Sequence, residues 1–148
     1  MFRGSSFHKI DAKGRIIIPT RFREVIKANG DDGVTISRME RCMMAFPFNK
    51  WHEIETKILT MAKKSEKMRR FRRVFIGGAF ECNCDKQDRS LIPPSLRQYA
   101  ALDKEIVLVG VLDHFEIWSR DNWENENKVQ EEDMKEEEVR NEIAELGI

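Results

Sequence analysis

Apolar and polar positions alternate along this chain in short bursts, and the bursts come in two similar sets. Alternation predicts strands at 7–10 and 15–18, and again at 80–84 and 89–92. The second strand of each set stops at a proline, Pro19 or Pro93, which suits the first turn of a helix. In the first set that helix reads TRFREVIKANG and ends in Asn-Gly, a C-terminal cap signal. A hairpin follows each time: VTISRM–ERC–MMAFP, then IVLVGV–LDH–FEIWS. The pattern is β-β-α-β-β, twice. Between the sets, Trp51, Ile54, Ile58, Met61, Ala62, Ser65 and Met68 form a helical stripe that predicts one helix over about 49–70. Lys63, Lys64, Lys67 and Arg70 fall largely off that stripe, as a solvated helix face or a phosphate-facing surface. Beyond Trp123 only Val139, Ile143 and Leu146 keep a weak spacing, compatible with a frayed helix, a disordered anionic tail or a docking helix.

The two sets are copies. Residues 11–26, DAKGRIIIPTRFREVI, align without gaps to residues 85–100, DKQDRSLIPPSLRQYA. Asp11/Asp85, Arg15/Arg89, Ile18/Ile92, Pro19/Pro93 and Arg23/Arg97 are identical, where unrelated segments would share roughly one position. After a two-residue shortening, Val34/Ile106, Ile36/Leu108, Phe46/Trp118 and Trp51/Trp123 pair up. A unit of roughly 40 residues is too small to bury its own core comfortably, so the two are expected to interleave about a pseudo-twofold axis. The expected class is therefore mostly β with helices (α+β). Its divisions are a first repeat at 5–47, basic linking helices at 48–76, a second repeat at 77–120 and an acidic tail at 121–148.

Charge changes the picture more than composition does. The 148 residues carry 26 Lys+Arg and 26 Asp+Glu, for a net charge of zero. Residues 1–76 nevertheless hold 18 basic against 8 acidic side chains, and residues 77–148 the reverse. Such a split points to a nucleic-acid surface paired with an acidic tail. The apolar runs are far shorter than the ~20 residues of a membrane span. The opening MFRGSSFHKID has no apolar signal core, and three cysteines lack framework spacing, so a reducing cytosol is the expected compartment.

The constellation most able to carry chemistry is Asp-x-x-x-Arg at 11–15, repeated at 85–89. Asp11 and Asp85 open turns whose backbone N–H groups a carboxylate can bind. Arg15 and Arg89 offer planar forks suited to phosphate and guanine edges, and each carboxylate can orient its arginine. A shared-proton pair of acids is disfavoured, because each Asp has a basic residue within two positions and an Arg four residues on. No Ser-His-Asp order, G-x-S-x-G or Walker loop is present, so no enzyme is expected. Cys82-x-Cys84 with His8, His52 and His114 lacks zinc-finger spacing, and neither metal nor cofactor is expected.

With these residues in view, the chain resembles the MraZ family of bacterial transcriptional regulators. MFRGSSFHKIDAKGRIIIPTRFRE looks like the family's opening, and FIGGAFECNCDKQDRSLIPPSLRQYAALDKEIVLVGVLDHFEIWS is similar to its second half. The resemblance covers about residues 1–123. It implies a double swapped-hairpin (SpoVT-AbrB type) barrel with helices outside, ring-shaped homo-oligomers, and DNA binding upstream of the cell-division and cell-wall gene cluster. The motif maps onto Asp11, Lys13, Gly14 and Arg15, and onto Asp85 and Arg89. Asp88 departs from it, standing where the family usually has Gly and adding negative charge beside Arg89. The expected DNA contacts are Arg15 first, helped by Arg3, Lys9, Lys13 and Gly14, with Lys86 and Arg89 as a weaker second patch. The expected partner is double-stranded DNA carrying direct repeats, in a cytoplasmic, nucleoid-associated protein with no membrane or small-molecule partner. The alternative is a ring-forming scaffold whose basic helix and acidic tail are docking surfaces.

Overall fold

Both copies of the motif fold as their pattern predicts, and the computed structural model describes residues 1–61 and 65–148. The first copy is β1 (Ser5–Lys9), β2 (Arg15–Ile17), α1 (Thr20–Ala28), β3 (Gly33–Met39) and β4 (Cys42–Pro47). Then come α2 (Phe48–Thr60) and α3 (Glu66–Gly77). The second copy is β5 (Phe80–Asn83), β6 (Arg89–Leu91), α4 (Pro94–Tyr99), β7 (Glu105–Gly110) and β8 (Phe115–Ser119), followed by α5 (Arg120–Asp133) and α6 (Glu137–Ala144). Pro19 and Pro93 stand immediately before α1 and α4. At the far end of α1, Asn29 caps through its amide, which donates to the Val25 carbonyl at 2.8 Å, and Gly30 follows at φ +84.

The expected single helix over 49–70 is two helices. Met61 is extended, and Ser65 starts a new helix rather than extending the old stripe. Its Oγ accepts from the Met68 N–H at 3.4 Å, which satisfies one of the donors a helix start leaves open. Ala62, Lys63 and Lys64, part of the predicted helix, lie outside the described residues.

The strands are exchanged between copies. One sheet runs β1-β7-β8-β4-β3-β5, and a separate ribbon pairs β2 with β6. β1 of the first copy pairs with β7 of the second, while β5 of the second pairs with β3 of the first. The register makes the symmetry explicit. Ile16 and Ser90, aligned in the repeat, lie directly opposite one another in the ribbon. Met44 and Glu116, aligned after the shortening, lie opposite one another where β4 meets β8. The pseudo-twofold axis passes through both places.

One core lies between ribbon and sheet. Ile16, Ile18 and Ile92 face Val34, Ile36, Met43, Ile106, Leu108 and Ile117, with Phe22, Ile26 and Leu96 entering from α1 and α4. Phe2 joins it, its ring 5.4 Å from Phe22 and 5.3 Å from Phe115. A second cluster of Phe46, Trp51, Ile58 and Phe75 seats α2 and α3 on the other face of the sheet. There the buried Ser37 hydroxyl donates to the Phe75 carbonyl at 2.6 Å. Fully burying such side chains contributes about 1.5–3 kcal/mol each, so neither copy keeps its core without the other.

Candidate nucleic-acid interface

Each Asp-x-x-x-Arg segment forms the same turn. Asp11 Oδ1 accepts from the backbone N–H of Lys13 (2.9 Å) and of Arg15 (2.8 Å). Its other oxygen accepts from Arg15 Nε at 2.6 Å. Asp85 repeats this with Gln87 (2.8 Å), Arg89 N–H (2.9 Å) and Arg89 Nε (2.9 Å). These bonds hold both carboxyls below the usual range, the backbone N–H of Arg15 or Arg89 contributing most and outweighing the opposing effect of burial. Each carboxylate thus bonds two backbone N–H groups of its turn and the Nε of its arginine. The carboxylate engages Nε alone, and among the described residues no side chain or carbonyl takes the two terminal nitrogens of either arginine.

The ribbon turns these arginines outward. Ile16 and Ser90 point into the core, fully buried, so their neighbours Arg15, Ile17, Arg89 and Leu91 lie on the opposite face. Arg15 sits across from Leu91, and Arg89 across from Ile17. The outer face of a two-stranded ribbon therefore carries two oriented guanidiniums on a diagonal, and such a ribbon fits the DNA major groove.

The turns are braced from across the axis. Arg23 of α1 donates from Nε to the Ile18 carbonyl (2.9 Å), and its Nη1 lies 2.5 Å from Asp88 in the second copy's turn. Arg97 of α4 donates to the Ile92 carbonyl (3.1 Å) and lies over Gly14 in the first copy's turn. A Cβ on Gly14 would stand 2.7 Å from Arg97 Cζ. Asp88 was expected to add its charge beside Arg89, but its carboxylate is turned to Arg23 instead. The first turn has glycine there, and among the described residues no acid pairs with Arg97. The first turn thus carries Lys13 and Arg15, with Arg97 lying over it, against one acid, Asp11; the second carries Lys86 and Arg89, with Arg23 reaching it, against two, Asp85 and Asp88. Arg97 was not among the expected site residues. Its signal was the Arg23/Arg97 identity in the repeat, which has no packing or strand-ending explanation.

Not every expected contact converges. Lys13 and Lys86 are exposed on the turns beside Arg15 and Arg89. Lys9 is exposed at the end of β1 nearest the Asp11 turn, opposite Glu105. Arg3 is exposed beyond the other end of β1, about 20 Å from Lys9 at strand spacing, and its carbonyl accepts from Arg21 Nε at 3.2 Å. The cysteines are unpaired; burial raises all three thiols, Cys82 to about 11. Among the described residues no group of three or more His, Cys, Asp or Glu is arranged to hold a metal ion, and no helix is long and apolar enough to cross a membrane.

Two interleaved β-β-α-β-β copies, each carrying an arginine pinned by its turn aspartate, define a fused-repeat protein of the swapped-hairpin class. The chain matches the family described as "MraZ protein, putative antitoxin-like" twice, over residues 1–74 and 75–142. It is 60% identical to the transcriptional regulator MraZ of Desulforapulum autotrophicum and 53% identical to that of Desulfosudis oleivorans, over the full length of each. It is 46% identical to that of Syntrophobacter fumaroxidans, over 82% of this chain and 81% of that one. The chain belongs to the MraZ family.

Proposed function

We propose that this protein is a sequence-specific transcriptional regulator that binds double-stranded DNA through the outer face of the β2/β6 ribbon and its two turns. One observation carries the reading: two outward guanidiniums, each held at Nε by its own aspartate, keep their terminal nitrogens available on a groove-sized ribbon. A free arginine would lose side-chain entropy on meeting a phosphate or guanine edge; one already oriented loses less. The names of the relatives agree with a regulator. Arg15, Lys13 and Gly14, with Arg97, form the stronger patch. Arg89 and Lys86 form the weaker one, Lys9 borders the first turn, and Arg3 is a separate outer contact.

Because the two turns differ, we place the protomers head to tail, so that like turns follow one another. Head-to-tail contacts close into a ring and present Arg15 in one sense along its rim. DNA on that rim is then read as direct repeats about 10 base pairs apart, with the cell-division and cell-wall gene cluster as the target and the nucleoid as the place of action. The test is a band-shift on the region upstream of the chain's own coding sequence, against a scrambled duplex. Arg15→Ala should reduce selective affinity at least tenfold, equivalent to about 1.4 kcal/mol or more, without lowering Tm. Arg89→Ala should cost less. Inverting one repeat, or inserting five base pairs, should abolish tight binding. Equal affinity for scrambled DNA in every arm would leave a ring-forming scaffold as the better reading.

A further inference from the structure

Ile17 and Leu91 are out of place for outer strand positions. They occupy equivalent sites in the two copies and are 56% and 57% exposed, although a strand's solvent face is ordinarily polar. Each lies directly across the ribbon from an arginine, Leu91 from Arg15 and Ile17 from Arg89. Opposite positions in an antiparallel pair bring Cβ atoms to roughly 5 Å, so each aliphatic side chain and its guanidinium present one combined surface. Neither is needed by the core, which Ile16, Ile18 and Ile92 already fill from the inner face.

An apolar partner surface would have to strip water from two guanidiniums and the lysines beside them, which costs more than two aliphatic contacts return. The DNA major groove has the matching chemistry, since the thymine C5-methyl is the one apolar group among its base-edge donors and acceptors. We infer that Ile17 and Leu91 are base-reading residues that contact thymine methyl groups, while the arginines opposite them engage guanine edges or phosphates. The inference rests on the DNA-binding reading above and adds which base feature the ribbon senses.

The experiment uses the full-length protein and the fragment upstream of its own coding sequence, amplified once with thymidine and once with deoxyuridine, which differs only by the methyl. Burial of one methyl is worth about a fourfold change in affinity. The wild-type protein should therefore bind the deoxyuridine fragment about 4- to 16-fold more weakly, with the same salt dependence. The double variant Ile17→Ser/Leu91→Ser should bind both fragments alike, at the weaker level, with an unchanged Tm. Equal wild-type affinity for the two fragments would overturn the inference while leaving DNA binding in place. An equal loss in wild type and variant would assign the effect to duplex shape and overturn it as well. A change in oligomer mass in the variant, with methyl sensitivity retained, would make the patch a contact between copies. Failure of the wild type to prefer the thymidine fragment over scrambled DNA would remove the DNA-binding reading, and this inference with it.

Discussion

Gly14 and Asp88 hold the same place in the two turns, and both lie in the left-handed region, at φ +86 and +62. Glycine adopts it without cost and leaves room for Arg97; aspartate adopts it at about 1 kcal/mol and in return reaches Arg23. Gly14→Ala adds a Cβ where Arg97 lies and a φ that alanine resists. It should lose about 1–2 kcal/mol in urea unfolding and weaken DNA binding by displacing Arg97. Asp88→Gly does the opposite to charge. It relieves the backbone and removes a half-exposed ion pair worth at most about 1 kcal/mol, so stability should change by less than about 1 kcal/mol. DNA affinity should rise, with a steeper salt dependence, because Arg23 is then no longer neutralised.

At the scale of elements, the turn between β7 and β8 contains a buried titratable group. His114 stacks on Phe46 at 5.0 Å, its Nδ1 lies 2.7 Å from Asp113, and its Nε2 lies 3.5 Å from Glu116. Burial opposes its protonation, but Glu116 and Asp113 outweigh that and raise its pKa above the ordinary 6.5. A raised pKa stabilises the folded state fully below 6.5, and the contribution fades as pH climbs through the higher folded value. Unfolding free energy should therefore fall with rising pH above 6.5 in the wild type, and more weakly in His114→Gln, when both are followed by urea denaturation. The elements themselves were largely legible in the residues. Alternation marked the strands, Pro19 and Pro93 the helix starts, and Asn29-Gly30 a helix end, because each signal is local. The break at Met61–Ser65 was not legible, since serine satisfies a helical stripe and a helix cap equally well. The Asp-x-x-x-Arg turns could be read because their bonds span four residues. The Arg97–Gly14 and Arg23–Asp88 braces could not, because they join residues that only the exchange of strands brings together.

For the molecule as a whole, the acidic segment is helical: α5 is anchored by Trp123, 5.9 Å from Trp118, and by Glu126, which pairs with Arg41 at 3.0 Å. Beyond Asp133 nothing is buried. Cutting after Met134 should preserve Tm and strengthen non-specific DNA binding at low salt, because five of the acidic side chains are removed against two basic ones. Unchanged low-salt affinity would count against repulsion by the tail. The exchange of strands also sets the timing of folding. While the chain is being made, β1 and β3 emerge long before β7 and β5, and only the β3–β4 hairpin has its partner at hand. At 5–20 residues per second the first copy, complete at Pro47, waits roughly 3–13 s until residue 110 is made, with two strand edges open and half a core exposed. The nearest equivalent of the missing half is the first copy on a neighbouring ribosome. A fragment ending at Gly77 should accordingly be recovered as a dimer, each chain lending its β1 to the other's β3, and an excess of that fragment during refolding should capture full-length chains in mixed pairs.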